Sequence, residues 1–276
     1  MEKFYGMSND YMFKAVLQER EDVLRNLIGA LLNLDESEIL VCEITNPIVL
    51  GESVEDKNCI LDIKLVLNGH KNINIELQMR KEEYWTERSL LYWARTYDDL
   101  KSGEEYGLLK KTYHIGIIDF PLYDGDNELY SEYRIMNVCD HRIYTDKFAI
   151  KVLNLRNIDI SEGIDARILH WARIFKASTL KELEELAGEE EVFKNMVLEL
   201  RKLSKDEKIK LQMEARADYE SRIATAKGAG YREGISQGRI CQLIELVKDG
   251  LLNVSDAASR AGMTVDEFQD ALAKTE

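Results

Sequence analysis

Two periodicities divide the chain. Between residues 39 and 156, β-branched and aromatic residues alternate with polar ones or run in short blocks separated by turn signals. That pattern predicts strands at 39–50, 59–67, 72–79, 112–120, 133–138 and 148–155. Residues 82–101 break the alternation, because Trp85, Leu90, Tyr92, Trp93 and Tyr97 recur at helical spacing. Ahead of the strands, 10–33 reads as one helix with Phe13, Val16, Leu17, Leu24, Leu27 and Leu31 on a broad face, and Ser8, Asn9 and Asp10 all suit its N-cap. After Asp159 the strand signal ends. Leu, Met, Ala, Lys and Glu dominate, and helices are predicted at 166–176, 180–187, 191–203 and 205–227. Gly230, Gly234 and Gly238 then recur every four residues, which either sets them on one helical face open to a second helix or marks a flexible joint. Residues 240–274 read as a helix, a turn at Gly262 and a helix capped by Thr264. The expected organisation is a mixed α/β domain at 1–160, a helical extension at 161–227, and the glycine-spaced segment with a small helical unit at 228–276.

The most informative stretch runs from Leu61 to Met79 and reads as a hairpin turning at Asn68-Gly69. Side chains alternate faces along a strand. Leu61, Ile63, Leu65 and Leu67 share one face of the first arm, leaving Asp62 and Lys64 on the other. In the second arm Ile73, Ile75, Leu77 and Met79 share a face, leaving Asn72, Asn74, Glu76 and Gln78 opposite. Two registers make the apolar faces coincide: one sets Asp62 across from Glu76, the other sets Lys64 across from Glu76 and Asp62 across from Gln78. Either gathers Asp62, Lys64, Glu76 and Gln78 on one face. Two carboxylates on adjacent strands repel unless a cation lies between them or one is protonated. A hard divalent ion such as Mg²⁺ takes one or two such carboxylates and completes its shell with water, and it can polarise a phosphoryl oxygen. The plainer alternative is an amphipathic hairpin with a solvated polar face.

Charge and cysteine usage narrow the choice. The chain carries 37 Lys and Arg against 51 Asp and Glu, a net −14 over 276 residues, so bulk attraction to nucleic acid is excluded. The stretch 205–248 is locally basic, with 9 basic against 7 acidic residues. Contact with DNA would have to run through a local patch or through metal ions. Cys42, Cys59, Cys139 and Cys241 are scattered singly, without zinc spacing, and read as small buried thiols of a cytoplasmic protein. No apolar run is long enough to span a bilayer and the N-terminus lacks a secretory core, so no membrane association is expected. His70, His114, His141 and His170 form no ligand spacing, and no P-loop or nucleophile elbow occurs. The helix-turn-helix look of 251–268 is weak, because Asp266, Glu267 and Asp270 stand where a DNA-reading helix wants basic or amide groups.

The order of these features resembles a known family. A helix, then Asp62 on the second strand, then Glu76-x-Gln78 ending the third strand, then another helix, is similar to the PD-(D/E)XK restriction-endonuclease-like core, followed here by an all-helical C-terminal region. More narrowly, Ser8-Asn-Asp-Tyr-Met-Phe-Lys14, Leu61-Asp-Ile-Lys64, Asn74-Ile-Glu-Leu-Gln78 and Arg88-Ser-Leu-Leu-Tyr-Trp-Ala-Arg95 resemble the recombination-promoting nuclease and transposase (Rpn) branch. The resemblance implies a metal-dependent DNA endonuclease linked to recombination or mobile elements, using Mg²⁺ or another divalent ion. It implies Asp62 and Glu76 as metal ligands, with the main-chain carbonyl of Leu77 as a third. Gln78 stands where the wider superfamily has lysine, so it would position water or phosphate without supplying charge, and Lys64 becomes the candidate charge donor. Asp10 is either an outer carboxylate or an N-cap; Arg88 and Tyr92, four apart on a helix, either face phosphate or pack. The alternative function is a catalytically degenerate nuclease fold used as an interaction module. A homodimer through the C-terminal helices is expected, since Leu211, Met213, Ile223, Ile235, Ile240, Leu243, Ile244 and Val247 need a partner surface.

Overall fold

The structure, a computed structural model, describes residues 4–47, 62–160 and 163–274. The chain divides into two compact units, Met1–Gln212 and Met213–Glu276. The first opens with two helices, α1 (Asp10–Glu19) and α2 (Glu21–Leu32), where one was expected. The break lies at Arg20, which leaves helical geometry at φ −124° while its guanidinium binds the Asp22 carboxylate at 2.7 and 2.9 Å. Asn9, not Asp10, caps the first helix by accepting from the Met12 amide.

Among the described residues six strands follow: β1 (Cys42–Ile44), β2 (Ile63–Leu67), β3 (Lys71–Gln78), β4 (Lys111–Ile118), β5 (Tyr130–Tyr133) and β6 (Phe148–Asn154). They form one mixed sheet in the order β1-β2-β3-β4-β6-β5. The pairs β3/β4 and β4/β6 are parallel and the rest antiparallel. The crossover from β3 to β4 carries helix α3 (Trp85–Tyr97), the usual solution for joining parallel neighbours. The predicted strand at 39–50 shrinks to β1, and 48–61 lies outside the described residues. The strand expected at 133–138 is displaced to β5, because the chain after Tyr133 turns back on itself through a Met136–Ile143 bridge that leaves Val138 exposed.

One sheet face carries Ile63, Leu65, Ile73, Ile75, Ile115 and Ile117, all buried. Behind it α1, α2, α4 (Ala166–Lys176) and α6 (Glu191–Lys205) pack on one another. Phe13, Phe175, Trp171 and Phe193 interleave there at ring separations of 5.4–5.9 Å. The other sheet face meets α3 over β3, β4 and β6. Helix α5 (Leu180–Ala187) joins α4 to α6.

Helix α7 (Glu207–Lys248) runs unbroken through Gly230, Gly234 and Gly238, which places the three glycines within a helix; a Cβ at any of the three would meet nothing within 4 Å. In the second unit the end of α7 supplies Leu243 and Ile244 to a core with Ala257 and Ala258 of α8 (Val254–Ala261) and Phe268 of α9 (Val265–Ala273). Ile240 and Val247 pack on it too. Leu211, Ile223 and Ile235 stay exposed. Gly262 turns at φ 72° and Thr264 closes a capping box with Glu267, as its sequence predicts. Two cysteines correct the expectation of buried thiols: Cys139 lies in an exposed turn and Cys241 on an exposed face of α7, while Cys42 is half-buried. No helix among the described residues is long and apolar enough to cross a membrane.

Candidate active site

The hairpin takes the register that opposes Asp62 and Glu76. Ile63 pairs with Ile75 and Lys64 with Asn74, so Asp62, one residue ahead of β2, stands across from Glu76. Asn68 and Gly69 make the turn with φ of 50° and 73°, as a type I′ turn demands. The polar face is not solvated. Glu76 is 1% exposed, Asp62 6%, and Asn74 and His114 are fully buried, because α3 lies over them. Trp85 and Tyr92 of α3 put their rings 6.1 and 6.4 Å from the His114 imidazole. Trp93 donates from its indole to the Thr112 carbonyl at 2.9 Å, anchoring the helix to β4.

Arg88 of α3 brings its Nε to 2.8 Å from Glu76 Oε1 and stacks its guanidinium 5.0 Å over the Tyr92 ring. The N–H is not aligned on the oxygen, so this contact is a charge pair rather than a hydrogen bond. From α1, Lys14, itself buried, donates from Nζ to the Asp62 carbonyl at 2.9 Å. Asn46 clamps the same segment, donating to the Asp62 carbonyl and accepting from the Lys64 amide at 2.9 and 2.8 Å.

Burial dominates the electrostatics. It raises the Asp62 carboxyl to about 6, against the opposing pull of Arg88, Lys14, Lys64 and the Asn74 amide. It raises Glu76 to about 7, helped by the Asp62 charge and resisted by Arg88. His114 is driven down to about 3 by burial and by the Arg88 cation. The imidazole is therefore neutral at pH 7, and its 3.6 Å approach to Glu76 Oε2 is not an ion pair.

The polar atoms left without partners converge here. Of eight buried side-chain nitrogens and oxygens lacking a hydrogen bond among the described residues, six belong to Asn74, Glu76, Trp85, Arg88 and His114. Both Glu76 oxygens are among them. Carboxylate oxygens without hydrogen bonds in a desolvated site, beside a second carboxylate whose protonation is raised, fit a hard cation. No group of three or more His, Cys, Asp or Glu side chains gathers among the described residues. The fit is thus to an ion content with two carboxylates plus main-chain, water or substrate oxygens, which describes Mg²⁺ better than Zn²⁺.

The other sequence candidates divide. Lys64 shares the Asp62 face and its charge is felt by Asp62. Gln78 ends β3 partly exposed, and its amide donates to the Arg80 carbonyl at 2.9 Å. Leu77, the intervening residue, is half-buried. Asp10 accepts from the adjacent Tyr11 amide at the start of α1. Lys14, Asn46, Asn74 and His114 were missed as site residues. A lysine set among Phe13, Ala15, Val16 and Leu17, and polar residues inside the apolar runs of β3 and β4, are the signals that point to them.

No curated protein and no solved structure matches the chain. A family model does: it describes PD-(D/E)XK nuclease family transposases and matches residues 7–226, which takes in every strand, α3 and the Asp62–Glu76 pair. The chain belongs to the PD-(D/E)XK nuclease family transposases.

Proposed function

We propose that this protein is a divalent-metal-dependent DNA endonuclease, acting in recombination or mobile-element biology. The observation that carries this is the desolvated Asp62–Glu76 pair, with neither Glu76 oxygen hydrogen-bonded, in a chain of a nuclease family. Asp62 and Glu76 hold the ion, Mg²⁺ first, with the Leu77 carbonyl as a third ligand. When bound, the ion supplies Lewis-acid polarisation of a phosphodiester and of the water that attacks it. Lys64, on the Asp62 face, and Lys14, against the Asp62 main chain, supply the positive charge that Gln78 cannot. Arg88 offsets the charge of Glu76 from the helix above. Gln78, at the partly exposed end of β3, orients water or phosphate at the rim. The cation also accounts for how a chain of net −14 meets an anionic substrate. A double-strand cut calls for two such sites, and a C2 homodimer through the open glycine face of α7 presents them.

Incubation of purified protein with plasmid DNA and Mg²⁺ tests this. Cleavage is expected, and it is lost in Asp62→Ala and Glu76→Ala; cleavage that survives both substitutions refutes the assignment. The second reading is a nuclease fold retained as an interaction module without catalysis. The Gln78 amide, spent on the Arg80 carbonyl, favours it. Calorimetric titration that finds no divalent ion bound at the Asp62–Glu76 face decides for that alternative.

A further inference from the structure

His114 has no place in that chemistry, yet it is fully buried between the two carboxylates' strands and the aromatic side of α3. It pairs with Asn74 across the parallel ladder, and the next residue on its face is Gly116, which pairs with Glu76. A diagonal neighbour on a sheet face is within reach of a long side chain, and the absent side chain at 116 leaves that diagonal clear on the β4 side. His114 Nε2 accordingly lies 3.6 Å from Glu76 Oε2.

The tautomer follows from the neighbours. The amide nitrogen of Asn74 lies 3.0 Å from His114 Nδ1, and an amide N–H only donates. Nδ1 must then accept, and the single proton of the neutral ring resides on Nε2. That N–H makes no hydrogen bond, and neither does the Glu76 oxygen it faces. A small shift of the carboxylate closes the gap to hydrogen-bond distance.

We propose that His114 is a positioning residue: through Nε2–H it holds the Glu76 carboxylate in the orientation that receives a divalent cation, and Asn74 locks the required tautomer by donating to Nδ1. This rests on the reading of Asp62 and Glu76 as ligands. The chain Asn74–His114–Glu76 reaches the carboxylate from outside, in the way outer hydrogen bonds orient the ligands of metal sites generally. A neutral donor suits the task, since it orients an anion without competing as a cation.

Two measurements test it. In metal-free protein with ¹⁵N-labelled histidine, long-range ¹H–¹⁵N NMR at pH 7 is expected to show His114 as the neutral Nε2–H tautomer. An Nδ1–H tautomer or an imidazolium overturns the proposal, whatever the protein's activity. Calorimetric titration with Mg²⁺ or Mn²⁺ then compares two variants. His114→Gln keeps a donor where Nε2 was and is expected to bind within about threefold of wild type. His114→Asn reaches only the Asn74 side and is expected to lose about tenfold or more, the range seen when outer partners of ligands are removed. Equal affinity in wild type and His114→Asn, at matched melting temperature, also overturns it. If the wild type itself binds no ion, the metal reading of Asp62 and Glu76 fails; the positioning role toward a cation falls with it, while the tautomer result still reports whether the hydrogen-bonded chain exists.

Discussion

The indole of Trp85 occupies the space that a side chain at Gly116 would need: a Cβ there would sit 2.2 Å from Trp85 Cζ2 and 2.8 Å from Cη2. Gly116 is the partner of Glu76 in the β3/β4 ladder, so this contact sets how low the first turn of α3 rides above the site. Gly116→Ala is expected to lift Trp85 and with it Arg88, one turn along. Overpacking of this kind costs about 1–3 kcal/mol. Urea denaturation should show that loss together with reduced metal affinity, and Trp85→Phe in the same chain should recover part of both. An alanine variant as stable as wild type means that α3 is not held down by this contact.

The raised carboxyls at Asp62 and Glu76 make a prediction about acidity. Their ordinary values are 3.8 and 4.5, and in the fold they stand at about 6 and about 7. The native state therefore holds protons that the unfolded chain has released. That stabilisation is complete below about pH 4 and is lost as pH rises through 7. Metal-free protein should melt at a lower temperature at pH 8 than at pH 5.5. Asp62→Asn with Glu76→Gln should flatten that slope and raise melting at pH 8. A divalent ion works in the opposite sense, since it requires both groups ionised, so its stabilisation should grow from pH 5.5 to pH 8. Thermal scans at both pH values check this, and an undiminished slope in the double variant contradicts it.

Lys14 offers a separate test of where positive charge enters the site. Its Nζ is buried against the Asp62 carbonyl and its charge lowers the Asp62 carboxyl. Lys14→Met keeps the length and apolar packing of the stem while removing the cation. Cleavage is expected to fall by about tenfold or more, in the range of a lost preorganised electrostatic contact. A structural role alone predicts a lower melting temperature with cleavage per folded molecule intact.

The glycine face of α7 bears on assembly. Gly234→Leu and Gly238→Leu place bulk where a second helix would approach, and leucine is the better helix former by up to about 1 kcal/mol each. The helix is thus expected to gain stability while the proposed dimer dissociates. Sedimentation of the full chain measures the outcome directly. A dimer that persists in the double variant assembles through another surface.

Much was legible from the chain alone. The alternation from Ile63 to Gln78, with Asn68-Gly69 at the turn, specified a hairpin with Asp62 and Glu76 on one face, because a period of two and a residue pair tolerant of positive φ leave little else. Helices α4 and α5 follow from the sequence to the residue, and so does the Thr264 cap of α9, since these depend on neighbours three or four positions away. Only the tertiary structure chose between the two registers, both of which satisfy the apolar pattern. It alone turned a polar strand face into a buried one, because the cover comes from α3, a separate element. Lys14, Asn74 and His114 gained their roles the same way: each lies on a different element from the carboxylate it serves or reaches across strands to it, and such distances have no local signature. Sequence by itself determined which residues could share a face; the burial that raises their carboxyls and leaves the Glu76 oxygens without hydrogen bonds is a property of the packed layers.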